Sequence, residues 1–342
     1  MLLPTSRVMN FPDFPLSGGA RLAELEVAYE TWGTLNGEGS NAILLCHGYT
    51  SSPHAAGDED GWCRTLVGPG LAIDTDRYFV VCANMVGSSY GTSGPATIDP
   101  ATGRPYGPDF PRYSIADMVE AQRRLIDALG IAQLAAVVGY SYGGHLTFIW
   151  GVTHPERMRA LVPIAGTMDR RKTPEQIQAL RDRFATRCPG WNGGHYHDRL
   201  KESGVFDELV AHRLESLLVY GFNDWLRDNV TNPAERETIL RERAEEWASR
   251  FDANSLWILY EAGLGSTAGP DAGRMRAPLL NVLASTDSVV DVAVGQPTVD
   301  LLKSRGIDAR FHRIDTIYGH YGPMIEGAKW AGELGAFLEA HI

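Results

Sequence analysis

An α/β fold with a mostly parallel sheet and helices on both faces is predicted for this chain by three observations. Short apolar runs of strand length alternate with helix-like segments from about residue 20 to residue 167, and the alternation returns near residue 276. A Gly-x-Ser-x-Gly motif at residues 139–143 lies between one such run and a helix-like segment. The 342 residues, 44% of them hydrophobic, suffice for one large core with an insertion.

Apolar runs along the chain predict the strands of the sheet. Ala42–Cys46 predicts a buried strand that leads into the loop 47–50. Leu134–Val138 predicts the strand that enters the motif. Pro278–Ala284 predicts a buried parallel strand, and Ala309–Ile314 predicts the last strand of the series.

Residues 168–275 have a different pattern. They are rich in charged residues and helix formers, as in Arg170-Arg171-Lys172 and the run from Glu235 to Arg250, and a Gly-rich loop interrupts them at residues 189–194. We therefore expect a core domain of residues 1–167 and 276–342. Residues 168–275 are expected to be inserted in it as a helical lid over the motif.

Ser141, the central residue of the motif, is a candidate nucleophile. A serine hydroxyl is a weak nucleophile at neutral pH, so it needs a sharp turn that exposes its Oγ and a base that takes its proton. Gly139 and Gly143 permit such a turn. The alternative is a glycine-rich turn whose serine only caps the following helix.

An acid and a histidine follow the motif in the chain order of the α/β-hydrolase fold, which carries both on loops after late strands. Asp287 lies three residues beyond Ala284, where a strand is predicted to end, and Asp291 is the only close rival. His320, alone among the ten histidines, combines this chain order with a loop setting. We predict that Ser141, Asp287 and His320 form a catalytic triad.

Two backbone N–H groups are needed to hold the oxyanion of an acyl-transfer intermediate. Tyr142 directly follows the nucleophile and is the first candidate. The loop after the early strand offers the second, for which Tyr49 is the candidate, because Gly48 permits the required backbone turn. The alternative is that this segment is a plain loop at the end of a strand.

Composition argues against several other classes of function. The four cysteines lack the spacing of metal ligands, so we expect no disulfide framework and no metal. His195, His197 and Asp198 are neighbours in a Gly-rich stretch without a third distant ligand, which favours loop residues over a metal site. A net charge of −11 argues against nucleic acid and anionic membranes as partners.

Location is predicted from two further features. No segment of the sequence is long and apolar enough to span a membrane. Residues 1–7 lack the basic region and apolar core of a secretory signal. We therefore expect a soluble, cytoplasmic protein.

Several long segments resemble the homoserine O-acetyltransferase family of the α/β-hydrolases. They are Ala28–Asn36, Gly68–Val81, Tyr90–Pro95, Asp99–Phe110, Pro189–Gly194 and Arg250–Ser255. The resemblance implies an acetyl-enzyme on Ser141, formed from acetyl-CoA as co-substrate and passed to the hydroxyl of homoserine. It also implies that Arg213 and Tyr220 hold the substrate carboxylate, and that two copies of the chain form a homodimer through the lid. Without the resemblance, a surface arginine and a packed tyrosine are equally good interpretations.

Departures from the family pattern lie at the predicted site. Family members usually carry an aspartate after the histidine, suited to the substrate ammonium, where this chain has Tyr321. The motif carries Tyr140 and Tyr142 in place of the family's small and methionine-containing turn, and Tyr49 departs from the usual early loop. An ammonium that is buried without its carboxylate partner is strongly disfavoured. Homoserine thus becomes a doubtful acceptor, and water the simplest one.

The leading hypothesis from the sequence is therefore an esterase that cleaves short acyl esters, especially acetates, through acyl-Ser141. Gly48 and Tyr321 join Arg213 and Tyr220 as predicted contacts of a small-molecule ester. The alternative is an O-acetyltransferase acting on homoserine or a related hydroxyl acceptor by the same acyl-enzyme. A non-catalytic binding protein is the third class, and the complete set of three triad residues argues against it.

Overall fold

A computed structural model describes residue 3, residues 5–169 and residues 172–342. Five residues that the sequence-based domains include lie outside the described residues: Met1, Leu2, Pro4, Arg170 and Arg171.

An eight-stranded sheet forms the centre of the molecule. Its strands are β1 (Arg7–Pro15), β2 (Arg21–Trp32), β3 (Ala42–Cys46), β4 (Phe79–Ala83), β5 (Leu134–Tyr140), β6 (Met158–Ile164), β7 (Leu279–Ala284) and β8 (Ala309–Ile314). Their order across the sheet is β1-β2-β4-β3-β5-β6-β7-β8. Strand β2 pairs antiparallel with both β1 and β4, and all other neighbours are parallel. The predicted α/β class with a mostly parallel sheet is confirmed.

Helices cover both faces of this sheet. The core helices are α1 (Ile115–Ala128), α2 (Tyr142–Thr153), α8 (Gly295–Ser304), α9 (Gly322–Ile325) and α10 (Ala331–His341). Alternate residues of β3 point to opposite faces, so Leu44 packs in the cluster that contains Trp150 of α2, whereas Ile43 and Leu45 pack in the cluster that contains Leu334 of α10. Burial on both faces explains why the central strands are continuous apolar runs.

Five further helices lie between β6 and β7 in the described part of the chain. They are α3 (Pro174–Arg187), α4 (Val205–Val219), α5 (Phe222–Asn229), α6 (Pro233–Arg250) and α7 (Ala253–Ala262). Helix α4 packs on α5 and α6, and α3 packs on α7. A bridge between Asp169 and Thr267 joins the two ends of this helical segment.

The four cysteines are buried free thiols. Burial raises the pKa of Cys46 and of Cys63 to about 12, which leaves these thiols protonated and unreactive at neutral pH. Among the described residues, no helix has the length and apolar character that crossing a bilayer requires.

Candidate active site

The turn between β5 and α2 carries Ser141 in a strained backbone conformation, with φ at +59°. A Cβ atom at Gly139 would lie 2.0 Å from the carbonyl oxygen of Gly143, and one at Gly143 would lie 1.9 Å from the carbonyl oxygen of Cys46. Both motif glycines are therefore required by close backbone contacts around the serine.

The side chain of Ser141 does not cap helix α2, so the alternative of a capping serine does not hold. Its Oγ lies 2.7 Å from Nε2 of His320. Nδ1 of the same imidazole lies 2.7 Å from Oδ2 of Asp287. The structure thus brings together the three residues that the sequence selected, and it buries both the histidine and the aspartate.

The two candidate aspartates have different surroundings. Oδ1 of Asp287 accepts backbone N–H bonds from the two residues of its loop at 289 and 290, at 2.7 and 3.1 Å, which orients Oδ2 towards His320. Asp291 is exposed, and its carboxylate accepts the N–H of Ala293 at the start of a short 3-10 turn. Asp291 is therefore a cap of this turn and has no contact with the imidazole.

Hydrogen bonds hold the loop that carries the histidine. The Thr286 hydroxyl donates to the carbonyl of Thr316 at 2.8 Å and accepts the N–H of Gly319 at 3.2 Å. The Tyr140 hydroxyl donates to the carbonyl of His320 at 2.7 Å. The acid loop, the histidine loop and the nucleophile strand are thereby connected independently of the Ser141–His320 bond.

The predicted oxyanion donors lie on either side of the nucleophile. Tyr142 is the first residue of α2, where backbone N–H groups point out of the helix and its dipole favours negative charge. Tyr49 follows β3, and a Cβ atom built on neighbouring Gly48 would lie 3.7 Å from Cβ of Ser141. This placement is compatible with the predicted oxyanion role of both residues.

His47 is a site residue to which the sequence analysis gave no role. Burial lowers its pKa to about 4, so the imidazole is neutral at physiological pH. Nε2 accepts the N–H of Met85 at 3.2 Å, which leaves Nδ1–H to donate to the carbonyl of Gly48 at 2.8 Å. Because a peptide unit is planar, holding this carbonyl also fixes the direction of the Tyr49 N–H. In the sequence, only the position of His47 next to Gly48 could have indicated this role.

The side chains of Tyr49 and Tyr142 reach helix α7. The Tyr49 hydroxyl donates to the carbonyl of Leu256, and the Tyr142 hydroxyl donates to that of Leu259 at 2.8 Å. The Tyr49 ring also stacks on Tyr260, with centroids 4.1 Å apart. These departures from the family pattern therefore attach the nucleophile region to helix α7.

A cavity of about 230 Å³ opens over Ser141, and we call it the first cavity. All four predicted substrate contacts line it: Gly48, Arg213, Tyr220 and Tyr321. Arg213 Nη1 donates to the Thr50 hydroxyl at 3.3 Å, and the guanidinium lies over the Trp247 ring at 5.3 Å. Among the described residues, no carboxylate lies within 4.0 Å of this guanidinium.

Comparison with known proteins identifies the family of the chain. The model of the alpha/beta hydrolase fold family matches residues 41–322. A homoserine O-acetyltransferase of Moorella thermoacetica is 38% identical, over 95% of this chain and 93% of its own. The chain belongs to the homoserine O-acetyltransferase family of α/β-hydrolases.

Solved structures of enzymes with two different activities are similar to this chain. A homoserine O-acetyltransferase of Bacillus anthracis superposes with a TM-score of 0.85 and 25% identity, covering 99% of both chains. Esterase E22 superposes with a TM-score of 0.83 and 28% identity, covering 97% of this chain and 99% of its own. The fold is thus shared by transferases and hydrolases.

Carboxylates that the sequence analysis missed also line the first cavity. The N–H of Tyr321 donates to the carbonyl of Tyr220 at 2.9 Å. Glu59 and Asp60, from the loop after β3, lie in the cavity wall. Their distance of about 80 residues from Ser141 in the chain concealed this proximity.

The histidine cluster near residue 195 has a structural explanation. His197 Nε2 pairs with the buried Asp252, and His195 Nε2 lies 3.3 Å from Asp109. In the part of the chain that the structure describes, no three potential ligands are grouped to hold a metal ion.

Proposed function

We propose that the protein transfers an acetyl group from acetyl-CoA to the hydroxyl of homoserine, or of a closely related amino acid, through an acetyl-Ser141 intermediate. One observation carries the choice: the Arg213 guanidinium faces the first cavity beside Ser141 without a carboxylate partner among the described residues. Ester hydrolysis is the leading prediction from the sequence. The family relationship and the charges of this cavity favour its alternative.

The reaction uses the triad twice. His320 takes the Ser141 proton as Oγ attacks the thioester carbonyl, and the backbone N–H groups of Tyr49 and Tyr142 stabilise the oxyanion. The carbon–sulfur bond breaks, and the thiol leaves with the proton from His320. The imidazole then takes the proton of the acceptor hydroxyl, which attacks the acetyl-enzyme and releases the new ester, returning the proton to Ser141. Asp287 fixes the tautomer and stabilises the imidazolium.

Arg213 would bind the carboxylate of the acceptor. A guanidinium suits this task because its planar donors match the two carboxylate oxygens. Stacking on Trp247 and the bond to Thr50 restrict its orientation. Its Nε is buried and has no hydrogen-bond partner among the described residues. An arginine that is held in place but not neutralised is suited to receive an anionic ligand.

Glu59 and Asp60 would face the acceptor ammonium. The preference for hydrolysis depended on Tyr321, which removes the family's usual carboxylate after the histidine. Two carboxylates from another loop line the same cavity, so an ammonium there has potential partners. The reason for regarding homoserine as a doubtful acceptor is correspondingly weaker.

Ester hydrolysis is the second candidate, and a specific observation favours it. Esterase E22 resembles this chain at 28% identity over nearly the whole length of both proteins. The first cavity also has aromatic walls from Tyr220, Phe222, Trp225 and Tyr321, which suit an uncharged ester. Hydrolysis needs only that water replaces the amino acid in the second half-reaction.

The test compares two reactions of the purified protein. One contains acetyl-CoA and homoserine, and the other contains only p-nitrophenyl acetate, with free CoA, O-acetylhomoserine and acetate measured. We expect O-acetylhomoserine in equal amount to the CoA released, and no product of either reaction with Ser141→Ala. Acetate from both donors without O-acetylhomoserine would contradict the transferase and support the esterase.

Arg213→Lys provides the control for acceptor binding. It keeps the charge but loses the planar pair of donors. We expect a large rise in the KM for homoserine and little change in p-nitrophenyl acetate cleavage. An equal loss of both activities would contradict a role of Arg213 in acceptor binding.

A further inference from the structure

His54, in the loop after β3, connects that loop to the core. Its Nδ1 lies 2.8 Å from Oε2 of Glu30 on β2, and its Nε2 lies 2.7 Å from Oδ1 of Asp58. Ionised carboxylates only accept hydrogen bonds, so both ring nitrogens carry a proton and the imidazole is a cation. Glu30 is a fixed anchor, because it is buried and its Oε1 accepts the hydroxyls of Thr5 and Ser6.

The loop that follows His54 is closed at its base. The Cys63 N–H donates to the carbonyl of Ala55 at 2.8 Å. A Cβ atom on Gly61 would lie 2.7 Å from Cα of Ala56, so the two arms of the loop touch at this glycine. Because the loop is closed in this way, a bond to one of its residues also positions the others.

Asp58, Glu59 and Asp60 follow one another in this loop but face different ways. Oδ1 of Asp58 lies against His54 and also accepts the N–H of Asp60 at 2.9 Å. Glu59 and Asp60 line the first cavity, and Asp58 lies outside it. Adjacent carboxylates repel one another, so pairing one of them with a cation stabilises the arrangement. His54 thus binds one acid to the core and leaves two for the cavity.

The first cavity needs these two carboxylates if it is to hold a zwitterion. Apart from the triad histidine, the other charged side chains in its described wall are three arginines: Arg64, Arg213 and Arg243. One guanidinium suffices for the acceptor carboxylate, and the remaining positive charge disfavours an ammonium. Among the described residues of the wall, Glu59 and Asp60 are the acids that offset it.

We propose that His54 is a positioning residue for recognition of the acceptor ammonium: it holds Asp58 on the core and thereby keeps Glu59 and Asp60 in the wall of the first cavity. The inference rests on the proposed function and deepens it, because it concerns the acceptor half of the same reaction. His54 does not line the first cavity, so it acts through the loop and not on the substrate. Acylation of Ser141, which involves no ammonium, should not depend on it.

His54→Gln removes the charge and can bind only one of the two carboxylates. We expect the KM for homoserine to rise about tenfold, because the carboxylates that pair with its ammonium are no longer held in place. The burst of p-nitrophenol from p-nitrophenyl acetate should stay within about twofold. 4-Hydroxybutanoate has the hydroxyl and the carboxylate of homoserine but no ammonium, so its inhibition constant against homoserine should not rise. A merely structural role of His54 would weaken the binding of both compounds and the burst alike.

A double-mutant cycle tests whether His54 acts through the two acids. In a protein with Glu59→Gln and Asp60→Asn, His54→Gln should cause no further increase in the KM for homoserine. His312→Gln, at a half-buried histidine of β8, is the control and should leave this KM unchanged. The same increase with and without the two acids, or an equal rise in the inhibition constant of 4-hydroxybutanoate, would overturn the inference.

Asp58→Asn is the second variant, in case His54→Gln does not fold. Its amide oxygen still accepts the Asp60 N–H, but the charged bond to His54 is lost. We expect the KM for homoserine to rise about threefold with an unchanged p-nitrophenol burst, and an unchanged KM would overturn the inference. If the unaltered protein forms no O-acetylhomoserine from acetyl-CoA, the proposed function itself fails. The two failures are thus distinguishable.

Discussion

The Tyr140 hydroxyl donates a 2.7 Å hydrogen bond to the backbone carbonyl of His320, although 180 residues separate the two in the chain. Their rings lie 5.2 Å apart. Tyr140 is the last residue of β5, directly before the nucleophile. One residue of the nucleophile turn therefore also determines where the loop of the general base lies.

Tyr140→Phe should lower kcat without changing KM. A lost buried hydrogen bond costs about 1 kcal/mol, so about a fivefold decrease in kcat is expected if the imidazole position depends on it. Steady-state cleavage of p-nitrophenyl acetate measures the effect. Tyr113→Phe is the matched control, because its buried hydroxyl has no hydrogen-bond partner among the described residues. Equal kcat values for the two variants would contradict the positioning role.

Asp287→Asn should reduce kcat by about 10⁴, because an asparagine amide favours the wrong imidazole tautomer. Asp291→Asn, only four residues away, should retain kcat within about twofold, since that carboxylate accepts the N–H of Ala293 at a turn and an asparagine side chain keeps an oxygen for this bond. The measurement is kcat of both variants for the cleavage of p-nitrophenyl acetate. A large loss of kcat in Asp291→Asn alone would contradict this assignment and make Asp291 the acid.

His47→Ala should reduce kcat far more than it raises KM. Without the Nδ1–H bond to Gly48, the Tyr49 N–H is no longer directed at the oxyanion, and loss of one such donor costs up to about 3 kcal/mol. The measurement is kcat and KM for acetyl-CoA and homoserine, at a temperature below the onset of thermal unfolding as determined by circular dichroism. A change confined to KM would instead indicate a role in substrate binding.

His54 should contribute stability that depends on pH. Its Nδ1 lies 2.8 Å from Oε2 of Glu30 and its Nε2 lies 2.7 Å from Oδ1 of Asp58. The bond to Glu30 raises the pKa of His54 to about 9 from an ordinary value of 6.5. The stabilisation is therefore complete below pH 6.5 and is lost as the pH rises through about 9.

His54→Gln should accordingly lower the Tm at pH 6.5, and the difference from the unaltered protein should shrink by pH 10. Burial opposes ionisation of Glu30, but hydrogen bonds from His54 and two hydroxyls outweigh it and hold the pKa of that carboxyl below its usual range. Glu30 is therefore charged across this window. Thermal unfolding at several pH values tests the expectation, with His312→Gln as the control. A difference that stays constant from pH 6.5 to pH 10 would contradict it.

Local patterns were sufficient to predict four of the eight strands and to select the three residues that meet at the candidate site. The run at residues 42–46 and that at 309–314 have the predicted strand bounds, and β7 begins one residue later than predicted, at Leu279. Buried strands are short continuous apolar runs, and a nucleophile turn needs glycines at fixed spacing, so both leave a signal within a few residues. Chain order then selected Asp287 and His320.

The tertiary structure alone decided what surrounds that triad. The Tyr140 bond to the His320 carbonyl, the contacts of Tyr49 and Tyr142 with helix α7, and the position of Glu59 and Asp60 in the first cavity all join distant segments. Such contacts arise because loops from the carboxyl ends of neighbouring parallel strands converge, and the strand order that brings them together is not written in any local pattern. The sequence by itself thus determined the fold class and the three residues that meet at the candidate site, while folding decided which side chains surround them.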